Sequence, residues 1–103
     1  MLSLTGAPDR ERVEQALQPW VLDELAALCR QNRAALGPAT RLLDVGLDSL
    51  TLVALLTRVE AWLEVSFDDT DVLDVVEADT VEALCTRLAA AVLARRRISA
   101  RTA

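Results

Sequence analysis

Residues 46–63 of the chain read Gly-Leu-Asp-Ser-Leu-Thr-Leu-Val-Ala-Leu-Leu-Thr-Arg-Val-Glu-Ala-Trp-Leu, a short polar turn followed by an apolar run. Asp48 suits a helix N-cap, because its carboxylate can accept from free amides at the positive end of the helix dipole. A helix is therefore predicted from Ser49 to about Leu63. One face carries apolar residues at helical spacing and would face a core: Leu52, Leu55, Leu56, Val59 and Leu63.

The opposite side of this helix also carries apolar or small residues. They are Leu50, Val53, Ala54 and Thr57. A surface helix needs only one apolar face for its core, so this second set predicts a partner-binding surface beside Ser49. The alternative is a central helix that is buried all round.

The composition predicts a small all-α protein. The chain has 103 residues, enough for one domain, and 52 % of them are hydrophobic. Only 3 % are aromatic, so the core would be aliphatic. Glycine and proline occur three times each, which leaves few turns and favours a small number of helices.

Helical spacing before the central helix predicts a first main helix over about residues 19–31, with Val21 and Leu25 on its apolar face. Pro19 interrupts the pattern, since proline inside a helix removes a hydrogen bond and clashes with the preceding turn. Either a short accessory helix ends near Gln18 and a new helix starts at Pro19, or one helix continues with a kink. The first arrangement is preferred.

A long connection is predicted over residues 32–47, with the strong helix breaker Gly37-Pro38 inside it. Four apolar side chains of this connection are expected to pack onto the core: Leu36, Leu42, Leu43 and Val45. A structured loop of this length is often functional.

Two further helices are predicted after the central one. A short third helix is expected over about residues 71–77, among several aspartates. Asp79 or Thr80 would cap a last helix, with Glu82 three residues after Asp79 as in a capping box. This last helix should fade near Arg97. Its core stripe is Val81, Leu84, Cys85, Leu88 and Val92.

Three segments are predicted: an N-terminal extension over residues 1–18 with room for a short extra helix, a main domain over 19–94, and an Arg-rich flexible tail over 95–103. The formal net charge is −5, and all 11 basic residues are arginines, four of which lie in the last nine residues. The acidic body excludes nucleic-acid binding through phosphate contacts and suits a basic protein partner. The terminal arginines could touch an anion, but a solvated end is preferred.

Other classes of site are disfavoured by the residue content. The aspartates from Asp68 to Asp74 lack the glycine and final glutamate of a calcium loop, so a solvated acidic face is expected and no metal site. Cys29 and Cys85 show no metal-ligand spacing or disulfide framework, so both are expected to be buried. No signal peptide and no apolar stretch of about 18 residues is evident, which predicts a cytoplasmic protein without membrane insertion.

Ser49 is the residue with the clearest chemical role. A serine hydroxyl at the start of a helix can cap the helix, attack a substrate or accept a covalent group. The chain has no histidine and no lysine, so an ordinary base is missing and nucleophilic catalysis is disfavoured. A helix N-terminus attracts phosphate through free amides and the dipole, so attachment of a phosphate-linked group is the preferred function.

The motif Gly46-Leu47-Asp48-Ser49-Leu50 resembles the phosphopantetheine attachment motif of acyl carrier proteins. Further residues of this helix are similar to the second helix of carrier domains in modular polyketide synthases: Thr51, Val53, Leu55, Arg58 and Glu60. Arg41-Leu42-Leu43-Asp44 resembles the loop that leads into the motif, and Thr80-Val81-Glu82-Ala83-Leu84 resembles the start of the last helix. The resemblance covers roughly residues 19–93.

The resemblance implies a four-helix acyl-carrier bundle, with three main helices, a short third helix and a long first loop. It implies that a phosphopantetheinyl transferase moves a 4′-phosphopantetheine arm from coenzyme A onto Ser49, and that Asp48 helps the transferase's magnesium site. The protein would be a monomer and no enzyme. Its arm would carry thioester-bound acyl groups between an acyltransferase, a ketosynthase or an acyl or aminoacyl ligase. The expected partner-binding residues are Leu47, Leu50, Val53, Ala54, Thr57 and Asp71.

Several functional alternatives remain at this point. Thr51 and Ala54 stand where carriers of dissociated fatty acid synthases usually show acids, which speaks against purely electrostatic docking; acids between Glu64 and Asp79 would supply the charged part of the contact. Peptidyl carriers usually have a Gly-Gly pair where Leu47-Asp48 stands here, so a polyketide-type acyl carrier is preferred. An aminoacyl or peptidyl carrier of a nonribosomal or hybrid pathway is the alternative. A small helical interaction module without a prosthetic group, or a hydrolase, is less favoured.

Overall fold

The described residues fold into a bundle of four helices. A computed structural model describes residues 10–102, with the side chains of residues 10–95. The helices are α1 (Arg10–Leu28), α2 (Ser49–Leu63), α3 (Asp69–Val76) and α4 (Val81–Thr102). Two short 3₁₀ turns, Arg33–Ala35 and Leu42–Val45, lie between α1 and α2. The described residues form no strand, which confirms the all-α four-helix bundle with a short third helix and a long first loop.

The first helix runs through Pro19, so the preferred arrangement of two separate helices was wrong. Pro19 and Gln15 are both exposed, so the Gln15 carbonyl that lacks a helical donor is open to water. Burial of one continuous apolar face outweighs this lost hydrogen bond. The buried residues on the two sides of the proline are Val13, Leu17, Val21, Leu22 and Leu25. Residues 10–18 of the predicted extension therefore belong to α1, and residues 1–9 lie outside the described residues.

Helices α1 and α4 form the main packing pair of the bundle. Leu17 of α1 and Leu88 of α4 are both fully buried. The backbone of α4 continues to Thr102, so the prediction of a helix end near Arg97 was wrong. The flexible tail over residues 95–103 stays a prediction. No glycine or proline occurs within α4, and alanine and arginine favour helices, so nothing in its sequence ends the helix earlier.

The connection between α1 and α2 is fastened to the amino end of α4. Arg41 and Thr80 form an isolated antiparallel bridge, and the Val81 amide donates to the Thr40 carbonyl oxygen at 3.0 Å. Three apolar side chains of this connection are buried as predicted: Leu36, Leu42 and Val45. Leu43 was expected to be buried but is 84 % exposed, because its neighbours Leu42 and Val45 occupy the inner side of their 3₁₀ turn.

Thr80 caps α4. Its Oγ1 accepts from the Ala83 amide at 3.1 Å, so Thr80 is the cap among the two predicted candidates. The Glu82 amide donates to the Pro38 carbonyl oxygen at 2.8 Å, and the capping box predicted between Asp79 and Glu82 is replaced by these contacts. The predicted core stripe of α4 is buried: Val81, Leu84, Cys85, Leu88 and Val92.

Helix α2 begins and ends at the predicted residues. Its predicted core face is buried: Leu52, Leu55, Leu56, Val59 and Leu63. Trp62 stacks on Trp20 of α1, with ring centroids 4.7 Å apart and planes 14° from parallel. Arg58 forms an ion pair with Glu24 of α1. The contact between α1 and α2 is therefore aromatic and ionic as well as aliphatic.

Helix α3 begins two residues earlier than predicted, because a capping box satisfies its first amides. Asp68 Oδ1 accepts from the Asp71 amide at 2.9 Å, and Asp71 Oδ2 accepts from the Asp68 amide at 3.1 Å. Glu60 Oε2 accepts from the Phe67 amide at 2.8 Å and holds the turn after α2. None of the described helices carries an apolar run long enough to cross a bilayer.

Candidate functional site

The turn that precedes α2 depends on Gly46. The 3₁₀ turn Leu42–Val45 ends at this glycine, whose φ of 77° lies in the left-handed region. Its amide donates to the Leu43 carbonyl oxygen at 3.3 Å. Residues with a side chain rarely adopt this conformation, whereas glycine adopts it without steric cost. The chain reverses here and delivers Asp48 and Ser49 to the amino end of α2.

Asp48 caps α2, as predicted. Its backbone is extended, and its Oδ1 accepts from the Thr51 amide at 2.8 Å. This hydrogen bond lowers the pKa of the Asp48 carboxyl below its usual value, so the side chain is ionised at neutral pH. The residue is exposed, and its negative charge faces solvent directly beside Ser49.

Ser49 is the first residue of α2 and is exposed. Within residues 10–95, no side chain or backbone group forms a hydrogen bond with its hydroxyl. The first amides of a helix have no acceptor inside the helix, and the helix dipole adds positive charge at this end. A free hydroxyl and a phosphate-attracting helix end therefore occur at one position.

An open groove begins at Ser49. It has a volume of about 310 Å³ and lies between the 3₁₀ turn before α2, the amino end of α2 and the carboxyl end of α3. Its aliphatic lining is Leu42, Leu43, Leu47, Leu52, Val75, Val76 and Ala78, and its polar lining is Asp48, Ser49 and Asp79. This composition suits an apolar chain attached at one polar end.

The predicted partner-facing residues of α2 lie together on its outer side. Leu50 is 83 % exposed, Val53 and Thr57 are exposed, and Ala54 is half-buried. The alternative of a helix buried all round is therefore wrong. Leu47 is half-buried and lines the groove rather than the outer side of α2.

Sequence reasoning missed three exposed apolar residues near Ser49. They are Leu43, Leu73 and Val76. Leu43 and Val76 line the groove, and Leu73 lies one turn before Val76 on α3. With Leu50 and Val53 they make up the large exposed hydrophobic residues of the described chain. All five lie on the elements that surround Ser49. The sequence held a signal for the two residues on α3, because this short helix has more apolar residues than it needs to fill its single buried position.

Arginines of α4 form ion pairs with several acids at α3. The Asp71 side chain is only 13 % exposed, and its Oδ2 lies 3.0 Å from the Arg95 Nε. Arg95 also pairs with Asp68 at 2.9 Å, and Arg87 pairs with Asp74 at 2.7 Å. That Asp71 binds partners, and that these acids supply the charged part of docking, stays a prediction. No group of three or more potential metal ligands is assembled among the described residues.

A comparison with known families adds to this geometry. The family described as phosphopantetheine attachment site has a model that matches residues 19–88, more than half of the chain. The chain belongs to this family. As a phosphopantetheine-binding carrier, it takes 4′-phosphopantetheine as its covalent prosthetic group. Such a carrier works with a phosphopantetheinyl transferase and with enzymes that act on its cargo. Neither a comparison with curated proteins nor one with solved structures gives a significant match.

The residues at the amino end of α2 fit this prosthetic group. The Ser49 hydroxyl is open for a phosphodiester bond, and the first amides of α2 lie where they attract its phosphate. The groove beside Ser49 offers aliphatic lining to an extended arm or to its cargo.

The two cysteines of the carrier are not activated thiols. Cys85 is buried as predicted, and this burial raises its pKa to about 12. Cys29 is half-buried, not buried as predicted, because it lies in the turn just after α1. Burial first, and then the negative charge of Asp48, raise the pKa of Cys29. Neither thiol is therefore prepared to act as a nucleophile.

Proposed function

We propose that Ser49 is the residue that bears the 4′-phosphopantetheine arm. The observation that carries this proposal is an exposed, unbonded hydroxyl at the start of α2 that opens onto an aliphatic groove. The other serine in the region matched by the family, Ser66, lies in the turn between α2 and α3 and does not line the groove. Ser66 therefore lacks the helix end and the groove that support attachment at Ser49.

The residues around Ser49 have distinct roles in this function. Gly46 sets the turn, and Asp48 holds the first turn of α2 and thereby orients the Ser49 hydroxyl. The ionised Asp48 carboxylate lies where it can share the divalent cation of a transferase. When bound, the prosthetic group supplies a thiol on a long arm, which holds the cargo as a thioester. Tethering raises the effective concentration of the cargo at partner enzymes.

The chain is not an enzyme in this proposal. It has no histidine or lysine, and the lowered pKa of Asp48 makes that carboxylate a weak base. The raised pKa values of both cysteines also leave no reactive thiolate. Chemistry on the cargo therefore falls to partner enzymes.

The cargo is an acyl group in polyketide or related natural-product biosynthesis. The aliphatic groove offers apolar lining to the acyl chain of such a cargo. The outer side of α2 presents Leu50, Val53 and Thr57 without an acid, which suits an acyltransferase or ketosynthase with an apolar docking surface. An aminoacyl or peptidyl carrier, loaded by a ligase, is the alternative, and Leu47-Asp48 in place of a Gly-Gly pair argues against it.

Intact mass tests the attachment site. The native chain, Ser49→Ala and the control Ser66→Ala are each incubated with coenzyme A, magnesium and a broad-specificity phosphopantetheinyl transferase. We expect one added phosphopantetheine on the native chain and on Ser66→Ala, and none on Ser49→Ala. Helix content of Ser49→Ala should match the native chain, because an exposed substitution changes stability by about 0.5 kcal/mol or less. Addition to Ser49→Ala would disprove the assignment.

Loading of the arm tests the class of cargo. The phosphopantetheinylated chain is offered malonyl-coenzyme A with a malonyl acyltransferase, and separately amino acids with ATP and a panel of aminoacyl ligases. A malonyl mass increase alone supports the acyl carrier. An aminoacyl increase without malonyl loading would favour the aminoacyl or peptidyl carrier instead.

A further inference from the structure

Helix α3 has little apolar contact with the rest of the bundle. It has 8 residues, and Val75 is its one buried residue. Val72 is half-buried, whereas Leu73 and Val76 are exposed. An element with so few buried side chains is held weakly by the hydrophobic effect and opens before the bundle unfolds as a whole.

Arg95 of α4 contacts the amino end of α3. Its Nη2 donates to Asp68 Oδ2 at 2.9 Å, and its Nε lies 3.0 Å from Asp71 Oδ2. These two acids also form the capping box of α3, in which Asp68 uses its other oxygen, Oδ1. Arg95 therefore adds an ionic contact to the cap without replacing the cap itself.

Arg87 of α4 contacts the carboxyl end of α3. Its Nη1 donates to the Asp74 carbonyl oxygen at 2.9 Å and to Asp74 Oδ1 at 2.7 Å. The same nitrogen lies 3.9 Å from Glu77 Oε2. A cation at the carboxyl end of α3 also interacts favourably with the helix dipole.

The spacing of the two arginines along α4 matches the length of α3. Their positions on α4 are about two helical turns, or about 12 Å, apart, which is also about the length of an eight-residue helix. Arg95 meets the start of α3 and Arg87 meets its end, so α3 lies antiparallel along α4. The Arg95 and Arg87 side chains are 27 % and 35 % exposed, and their partners Asp68 and Asp74 are 51 % and 55 % exposed, so solvent and salt reach both contacts. Several charges in one network stabilise more than an isolated surface pair does.

We propose that Arg87 and Arg95 are positioning residues that clasp α3 against α4 and thereby set the opening of the groove beside Ser49. Val75 and Val76 form the α3 wall of that groove, so a displacement of α3 changes its width. The use of the groove by the arm rests on the proposed function, whereas the clasp is a property of the chain alone. In about 1 M salt the Debye length falls to about 3 Å, so salt loosens the clasp and opens the groove.

Amide hydrogen exchange on the unloaded chain tests the clasp. The variants are the double substitution Arg87→Gln with Arg95→Gln, and the control Arg58→Gln, which removes an ion pair between α2 and α1 that includes no residue of α3. We expect exchange of the α3 amides to rise about tenfold in the double variant, while exchange in the cores of α1 and α2 stays unchanged. Arg58→Gln should leave α3 exchange at the native rate.

Salt provides the second readout. Between about 0.05 and 1 M sodium chloride, native α3 exchange should accelerate, and the methyl shifts of Leu52, which lines the groove from α2, should move in parallel. The double variant should show neither response. Unchanged α3 exchange in the double variant, or an equal increase in all four helices, would overturn the proposal. Because no arm is present, a failure to load Ser49 leaves this result readable and affects only the proposed function.

Discussion

The substitution Gly46→Ala tests how much stability the turn before α2 gains from a residue that adopts the left-handed conformation without strain. At a φ of 77°, an L residue costs about 1–2 kcal/mol relative to glycine. The added Cβ would meet no heavy atom within 4 Å, so backbone strain is the whole cost in the folded state. Alanine also lowers the conformational entropy of the unfolded chain, which stabilises the folded state by about 0.4–1 kcal/mol. The expected net loss in the free energy of unfolding is therefore about 1 kcal/mol.

Gly37→Ala is the matched control for this variant. Gly37 lies in the same connection and its added Cβ would also meet nothing within 4 Å, but its φ is not positive. Both variants share the effect on the unfolded chain, so their difference of about 1–2 kcal/mol is backbone strain alone. Urea unfolding followed by the fluorescence of the Trp20–Trp62 stack gives both free energies. If Gly46→Ala is as stable as Gly37→Ala, the turn does not need a left-handed residue and the reasoning is wrong.

Three further outcomes follow from burial and charge. Leu17→Ala should lower the free energy of unfolding by about 2–5 kcal/mol, because Leu17 is fully buried. The exposed control Gln15→Ala should change the free energy of unfolding by about 0.5 kcal/mol or less. Equal losses for the two variants in urea unfolding would contradict the packing of α1. In Cys29→Ser, Ellman's reagent at about pH 8 should label Cys85 only after unfolding, because its pKa is about 12 and it is buried; rapid native labelling would oppose this. The Asp48 pKa is lowered on folding, so its stabilisation is present above about pH 4 and is lost as pH falls through the folded value. The stability difference between native chain and Asp48→Asn should therefore shrink on acidification, and a widening difference would contradict the assignment.

Prediction from sequence succeeded where the determining contacts are local. Helix α2 lies at its predicted residues, because its cap Asp48 and its apolar repeat are both contained in one continuous segment of the sequence. Gly46 stands where the turn needs a left-handed residue, and Ser49 follows at the exposed helix start. The position of these candidate site residues was therefore predictable, whereas the role of Ser49 stays a proposal until its loading is measured.

Prediction failed where distant segments decide the outcome. Pro19 was read as a helix boundary, but packing of α1 on α4 keeps the helix continuous while the proline faces solvent. Leu43 was placed in the core, but Leu42 and Val45 take the inner positions of their turn. The ion pair between Asp71 and Arg95, which lies 24 positions later in the sequence, was not predicted.

The sequence by itself determined the helical class, the cap and turn before α2, and the faces of α2 and α4, because caps, left-handed glycines and apolar periods depend on near neighbours. Only the tertiary structure decided that α1 is continuous and that the groove beside Ser49 has α3 as one wall. The tertiary structure also decided that Arg87 pairs with Asp74 and that Arg95 pairs with Asp68 and Asp71. These features depend on contacts between side chains that are distant in the sequence, and no local sequence pattern specifies such contacts.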